Sequence, residues 1–457
     1  MRSEFSLARF STAAMVSLCV VTSYSRVLPA TEPRPAKGKS DLSGPVKRLV
    51  NDLGSNRRAI RESARRRLLA LGPAILEHLP APNTVKNVAT RVAIRRLIRT
   101  LERTTATRSA RASQVTISGR PTLETLVASI SKQTGNRLTM HRLSSKQRQR
   151  PVPIKLIRST YWQAIDSVMS RAKLDLVHRN GATTLIARGN RKTDRSIALS
   201  GPFRVTATTA TPKPIPDSDR QLLPVRLSWM AEPRLRPLYL VCRPANFRAT
   251  GRFDNDRTKS LDPRSPEATL ELPLEGSDPD LQLRIDFQTP GDQIPREIQL
   301  AGTADVWLAA GSQEFVFQGP VAAKPVVHRR AGIAVVLTSI RHTPANGDRF
   351  DATFGITVQY ESGGPAFESH RLWMLYNRAH LVPTSSSDKK PVRQVAYDRF
   401  ETLRLGDGTA ELAYHFKNLK GQPRDWRFVY QAPTQIIKVP VPLEFARWKV
   451  PTRRSKD

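Results

Sequence analysis

A chain of 457 residues is long enough for three or four domains, and with 39% hydrophobic and 25% charged residues it can bury real cores. Its formal net charge of +35 is unevenly placed: residues 1–196 hold 38 Lys and Arg against 11 Asp and Glu, residues 197–457 hold 36 against 28. Cysteine is limited to Cys19 and Cys242, so removal of the N-terminal stretch excludes an intramolecular disulfide and Cys-based metal sites.

Arg2 and Arg9 form a basic region ahead of the short apolar run Ala13–Val21, and small-residue sites follow, Leu28-Pro29-Ala30 among them. Residues 1–30 therefore read as an export signal whose apolar core falls short of a span of about 20 residues. An uncleaved anchor is the alternative; Leu18 before Cys19 disfavours a lipoprotein site. Export with so little cysteine points to a bacterial periplasm or cell envelope. Residues 31–40 have the composition of a linker.

From 41 to 105 the apolar period is helical. Leu42, Val46, Leu49 and Leu53 recur every three or four residues, then Ile60, Ala64, Leu68 and Leu71 before the break at Gly72-Pro73. A further helix is expected from Thr84 as N-cap, with Val88, Val92, Leu97 and Leu101 inward. Arg57, Arg61 and Arg65 stand four residues apart on one helical face, and Arg91, Arg95, Arg99 and Arg103 repeat the pattern on the next. Neither stripe has a matching acidic stripe, so both are candidate anion-binding surfaces, although a solvated face has the same appearance. The run Arg58-Ala59-Ile60-Arg61-Glu62-Ser63-Ala64 leading to Leu68-Leu69-Ala70-Leu71-Gly72-Pro73 resembles a HEAT-type helical repeat. Such repeats need neighbours to bury both faces.

Residues 113–190 change grammar. Val115–Ile117 reads as a strand, and Thr122-Leu123 opens a helix carrying Leu126, Val127 and Ile130 to a C′ glycine at Gly135. Arg137–Met140 and Val152–Leu156 are strands, with the basic loop Lys146–Arg150 between them. Ser159 caps a second helix bearing Trp162, Ile165, Val168 and Met169, and a hairpin around Asn180-Gly181 closes the unit. This β-α-β-β-α-β-β order, with Leu123-Glu124-Thr125-Leu126 to Thr134-Gly135-Asn136 and Tyr161-Trp162-Gln163-Ala164-Ile165 to Ala172-Lys173-Leu174, resembles the short N-terminal domain of secretins and TonB-dependent transducers. The resemblance implies a small α/β fold that docks other proteins or envelope components in the periplasm. Nothing downstream looks like a secretin ring or an outer-membrane barrel, so pore formation and transport do not carry over.

Beyond Ile197 strand signals dominate, in two series at 197–325 and 328–450, each of β-sandwich size. The expected fold is multi-domain α+β: a helical segment, a secretin-N-terminus-like module, and two mainly antiparallel β-sandwiches. The whole resembles exported bacterial proteins with a helical piece and a secretin-type domain ahead of strand-rich domains.

Local catalytic signatures are missing: no G-x-S-x-G elbow, no H-E-x-x-H, no G-x-G-x-x-G after a strand and no phosphate-binding P-loop. Asp254, Asp256 and Asp262 alternate like the start of a calcium loop, but Lys259 holds the turn position that needs Gly and Ser265 the place of the bidentate Glu. The unusual loop 363–371 presents Phe367 and His370 as partner contacts; Glu368, Ser369 and His370 are strand neighbours on alternating faces and form no relay.

These features predict an exported, non-enzymatic binding or scaffold protein without cofactors. Its basic N-terminal half would dock an anionic envelope component or protein partner, with peripheral membrane-surface contact as one form. The candidate contact residues are Arg57, Arg61, Arg65, Arg91, Arg95, Arg99, Arg103, Phe367 and His370. One alternative is a polyanion or nucleic-acid binder, ranked lower because few aromatics interleave the basic stripes and export removes genomic targets. Another is a hydrolase whose site assembles from distant carboxylates.

Overall fold

This computed structural model describes residues 42–179, 182–189, 194–274, 282–291, 293–318, 325–330, 333–360, 377–384, 394–406 and 408–451. The expected export signal, linker 31–40, Asn180-Gly181 turn and loop 363–371 lie outside the described residues. The helical segment comprises α1 (Ser43–Asp52), α2 (Arg58–Leu71), short 3₁₀ turns at Pro73–His78 and Pro82–Thr84, and α3 (Val88–Ser109). An α/β unit follows: β1 (Gln114–Gly119), α4 (Leu123–Thr134), β2 (Leu138–Met140), α5 (Ser145–Arg148), β3 (Ile154–Thr160), α6 (Tyr161–Ala172), β4 (Leu174–Arg179) and β5 (Ala182–Ala187). Then come β6 (Ser196–Ser200), β7 (Phe203–Thr209), β8 (Lys213–Pro214), β9 (Gln221–Ala231), β10 (Arg236–Cys242), β11 (Phe247–Arg252), β12 (Thr258–Pro263), β13 (Leu270–Pro273), β14 (Gln282–Gln288) and β15 (Glu297–Gln318). The last strands are β16 (Val326–Arg330), β17 (Ile333–Pro344), β18 (Arg349–Tyr360), β19 (Arg378–Pro383), β20 (Val395–Ala396), β21 (Arg399–Gly406), β22 (Thr409–Lys420) and β23 (Trp426–Lys449). The architecture is mixed helix and sheet, α+β, and mostly antiparallel.

In the helical segment Val46, Leu49, Leu53, Ala64, Leu68, Ile75, Ile94, Leu97 and Leu101 form one core. The third helix starts at Val88 rather than after Thr84, because the Asn87 side chain accepts the Thr90 N–H at 3.0 Å and caps it there. Val88 and Val92, expected inward, face out, at 67% and 39% exposure. At about 100° per residue they lie on the side opposite Leu97 and Leu101, and Thr90 and Ile94 fill the inward positions instead. Ile60 and Leu71 sit at the rim of the core, more than a third exposed.

The α/β unit shows how local signals set element ends. Thr122 and Thr160 cap α4 and α6, the latter as a capping box with Gln163, and Gly135 ends α4 at φ 69°. The second cap is thus Thr160, one residue beyond the expected Ser159. The expected basic loop at Lys146 holds the single-turn α5, closed by a Ser144–Gln147 capping box. β1 pairs antiparallel with β3, while β2 runs parallel to β5 and β5 antiparallel to β4. Trp162, Tyr161, Leu126, Ile130, Ile165 and Val168 pack at the centre.

The strand-rich region is organised by a ribbon that no single sequence window reveals. β15 and β23, 22 and 24 residues long, pair antiparallel from Glu297↔Lys449 to Gln318↔Arg427 with a bulge near Ile298. Successive strand residues point to opposite faces. On β15, Ile298, Leu300, Ala304, Val306 and Leu308 enter a first core, whereas Ala309, Phe315 and Phe317 enter a second. On β23 the phase is reversed: Phe428, Tyr430 and Ala432 join the second core, and Val441, Leu443 and Phe445 the first. Residues 436–450, expected in the later block, therefore help complete the earlier core. Gly302 sits where the Phe247 ring of β11 lies against the ribbon, a position a Cβ would strike. The second core is closed by the sheet β16-β17-β18-β22-β21, while β10 (Leu238, Tyr239) and β19 (Ala379, Leu381) add to it from the ribbon's own sheet.

Candidate functional site

Residues 42–111 carry sixteen Lys and Arg against four Asp and Glu. What these cations do depends on position. Arg61 donates from its guanidinium to the carbonyls of Ser55 (2.8 Å) and Asn56 (3.0 Å). Arg91 does the same for Val85 (3.1 Å) and Lys86 (3.3 Å). Each is the fourth residue of its helix and clips the two carbonyls that precede the N-cap residue, so α2 and α3 begin by one shared device. Two of the seven candidate arginines thus have a structural task. Arg65 makes a loose ion pair with Glu62 at 3.5 Å, both half exposed, and Arg57 is the exposed N-cap residue of α2.

Arg95, Arg99 and Arg103 differ. All three are exposed, and among the described residues none of their guanidinium groups makes a hydrogen bond or an ion pair. Arg99 lies near Glu102, whose carboxyl is pushed above its usual range by burial, with Arg99 acting in the opposite direction. The outward side of α3 therefore presents an excess of positive charge beside Val88 and Val92. Further round α3 stands Arg96, also exposed. The two ends of the cationic stripe are set by the fold: Asn87 caps its start, and Ala106 and Ala110 turn the same face into the protein, where α3 meets β15 and β23.

A second cluster, missed in the sequence, lies where the three regions meet. Glu232 is fully buried, and its carboxylate accepts the Ser113 N–H (2.9 Å), the Ser113 hydroxyl (2.7 Å), Asn136 Nδ2 (3.0 Å) and Arg234 Nε (2.7 Å). Arg234 also donates its backbone N–H to Asn136 Oδ1 at 3.0 Å, and its guanidinium reaches the carbonyls of Ser109 and Arg111. Beside it, the Pro202 carbonyl accepts both Trp162 Nε1 and the Glu232 N–H at 2.9 Å. Arg204, 5% exposed, pairs with Asp166 of α6 at 3.1 Å. A buried carboxylate with every donor matched is a joint, not a reactive group. It ties the end of α3, the α/β unit and the β9 strand end together through one buried carboxylate.

Other chemistry is sparse. The Cys242 thiol is buried and its pKa is pushed up to about 12, which removes it as a nucleophile at neutral pH. His415 contacts Thr353 Oγ1 through Nδ1 (3.0 Å) and Glu401 through Nε2 (3.4 Å), the order of a nucleophile relay. Thr353 is mid-strand, and its backbone belongs to the ladders with β17 and β22. Asp254 and Asp256, the calcium-like pair, are engaged by Arg296 and Arg252. Among the described residues no group of three His, Cys, Asp or Glu is placed to hold a metal ion, and no helix is long and apolar enough to cross a membrane. A cleft of about 590 Å³ between α1 and the start of α3 is lined by Lys47, His78, Leu79 and Val85. Phe367 and His370 lie outside the described residues.

No protein-family model matches the chain, and no curated protein matches it. A chain from the basal body of the Salmonella SPI-1 type III secretion injectisome, a structure of InvG, PrgH and PrgK, aligns over 74% of this chain and 93% of its own at 6% identity, with a TM-score of 0.14. A structure named pT26-6p aligns over 60% of this chain and 65% of its own at 11% identity, with a TM-score of 0.13. At these scores neither alignment bears on fold or function.

Proposed function

We propose that this chain is an exported, non-enzymatic binding or scaffold protein of the bacterial envelope whose basic helical segment docks an anionic partner. One observation carries the reading: Arg95, Arg99 and Arg103 stand exposed and unpaired on one side of α3, at the end of a segment with four times as many cations as acids. Like charges at this spacing repel slightly, and an anion brought against them relieves the repulsion. The joint at Glu232 supports the scaffold part, since it holds the helical segment fast to the α/β unit and strand body. The α/β unit, read as a secretin-N-terminus-like interaction module, and the strand blocks, read as sandwiches, fit the same role.

The test is retention of the full chain on immobilised heparin as a generic polyanion. The wild type elutes late in a salt gradient, and R95E/R99E/R103E elutes at clearly lower salt, because each lost phosphate- or sulfate-type contact lowers the salt dependence. Equal elution of the two proteins would remove α3 as the docking surface.

A further inference from the structure

We infer that the partner of the outward face of α3 is an anionic lipid bilayer, with Val88 and Val92 entering the headgroup layer and Arg95, Arg99 and Arg103 meeting its phosphates. This rests on the anion-docking reading above and names the anion. On a helix advancing about 100° per residue, positions 88, 92, 95, 99 and 103 fall within an arc of about 80°, along a stripe about 22 Å long. All five are exposed, Val88 at 67% and Val92 at 39%. Thus one helical face carries apolar side chains over its first turns and cations over the rest, with exposed Arg96 further round the helix.

A soluble polyanion uses the cations and gains nothing from two uncovered valines. Bases or sugars would stack on aromatic rings, and residues 42–112 contain no Phe, Trp or Tyr. A bilayer uses both halves of the face: phosphates take the guanidinium groups, and the acyl boundary takes the valines. Arginine suits this geometry, since its stem lies along apolar surface while its head stays among the phosphates. Among the described residues the acid beside these cations is Glu102, one carboxylate next to Arg99 against the three arginines of the stripe.

The experiment measures binding of the full chain to phosphatidylglycerol–phosphatidylcholine vesicles and to phosphatidylcholine vesicles, alongside the heparin assay. The neutral vesicles account for any contribution of the apolar run Ala13–Val21, which would enter both. The wild type binds the anionic vesicles in excess of the neutral ones, and R95E/R99E/R103E loses that excess by more than about tenfold, at about fivefold per cation near an anionic surface. V88S/V92S weakens it by about threefold or more and leaves heparin retention unchanged. V88L/V92L strengthens it, a gain that misfolding cannot imitate. Valine variants with no effect on the anionic excess overturn the bilayer inference. So does heparin retention without that excess, in which case anion docking stands. Loss of heparin retention in the wild type sinks both.

Discussion

The Glu232 joint and the outward face of α3 are both built around arginine and do opposite things. At the joint, Arg234 meets a fully buried carboxylate whose other oxygen sites are taken by Ser113 and Asn136. Removing one partner there leaves buried charge or donors unmatched. On α3, Arg95, Arg99 and Arg103 are exposed and make no ion pair, with Glu102 beside Arg99 the acid that acts on them, so removing them costs the fold little. Between these extremes stand Arg61 and Arg91, which look like members of the cationic stripes and in fact hold the loops ahead of their helices. A count of arginines therefore does not measure a binding surface; what each guanidinium touches does.

The largest expected effect falls at the joint. E232A destabilises the protein by about 3–5 kcal/mol in denaturant unfolding, because Arg234 and three polar donors lose a buried acceptor. An unchanged midpoint would mean that the α/β unit is held by other contacts. Next, W162F removes the hydrogen bond to the Pro202 carbonyl and costs about 1–3 kcal/mol, read as a lower midpoint at constant slope. The double variant R61Q/R91Q costs about 0.5–1.5 kcal/mol per site by thermal melting. If it melts like the wild type, these two arginines belong with the outward group after all.

A smaller effect comes from His380, whose pKa is lowered by burial and, secondarily, by Arg378. The folded protein resists protonating this ring, so its contribution to stability is full above the unfolded pKa of about 6.5 and declines as pH falls from there toward the folded value. H380Q should flatten part of the loss in melting temperature between about pH 7 and about pH 5. Smallest of all, R95E/R99E/R103E shifts stability by less than about 0.5 kcal/mol per site while lowering heparin retention. A large loss of stability would move these residues into the structural class and weaken the contrast.

Most of the α/β unit was legible, apart from the cap at Thr160 and the turn α5, because its signals are local: a Thr cap before Leu123, a C′ glycine at 135, an alternating strand at Ile154. The orientation of Val88 and Val92 was not, since the correct inward pair, Thr90 and Ile94, includes a polar residue that the apolar pattern passes over. Similarly, the two strands of the β15–β23 ribbon fall one in each of the two strand series expected at 197–325 and 328–450, which hides their pairing. Its burial phase switches near Leu308, and a switch reads as an interruption unless both cores are known. The joint was invisible: Glu232 meets Asn136 and Ser113 across 96 and 119 residues of chain.

By itself the sequence determined where positive charge accumulates, which segments are helical or extended, and where most α/β-unit elements start and stop. These follow from composition and from contacts within a few residues. Tertiary structure alone decided which arginines face solvent and which hold loops or a buried carboxylate, and which half of each long strand serves which core. Burial depends on neighbours brought from far along the chain, and a side chain's exposure sets whether its charge is available to a partner or already matched.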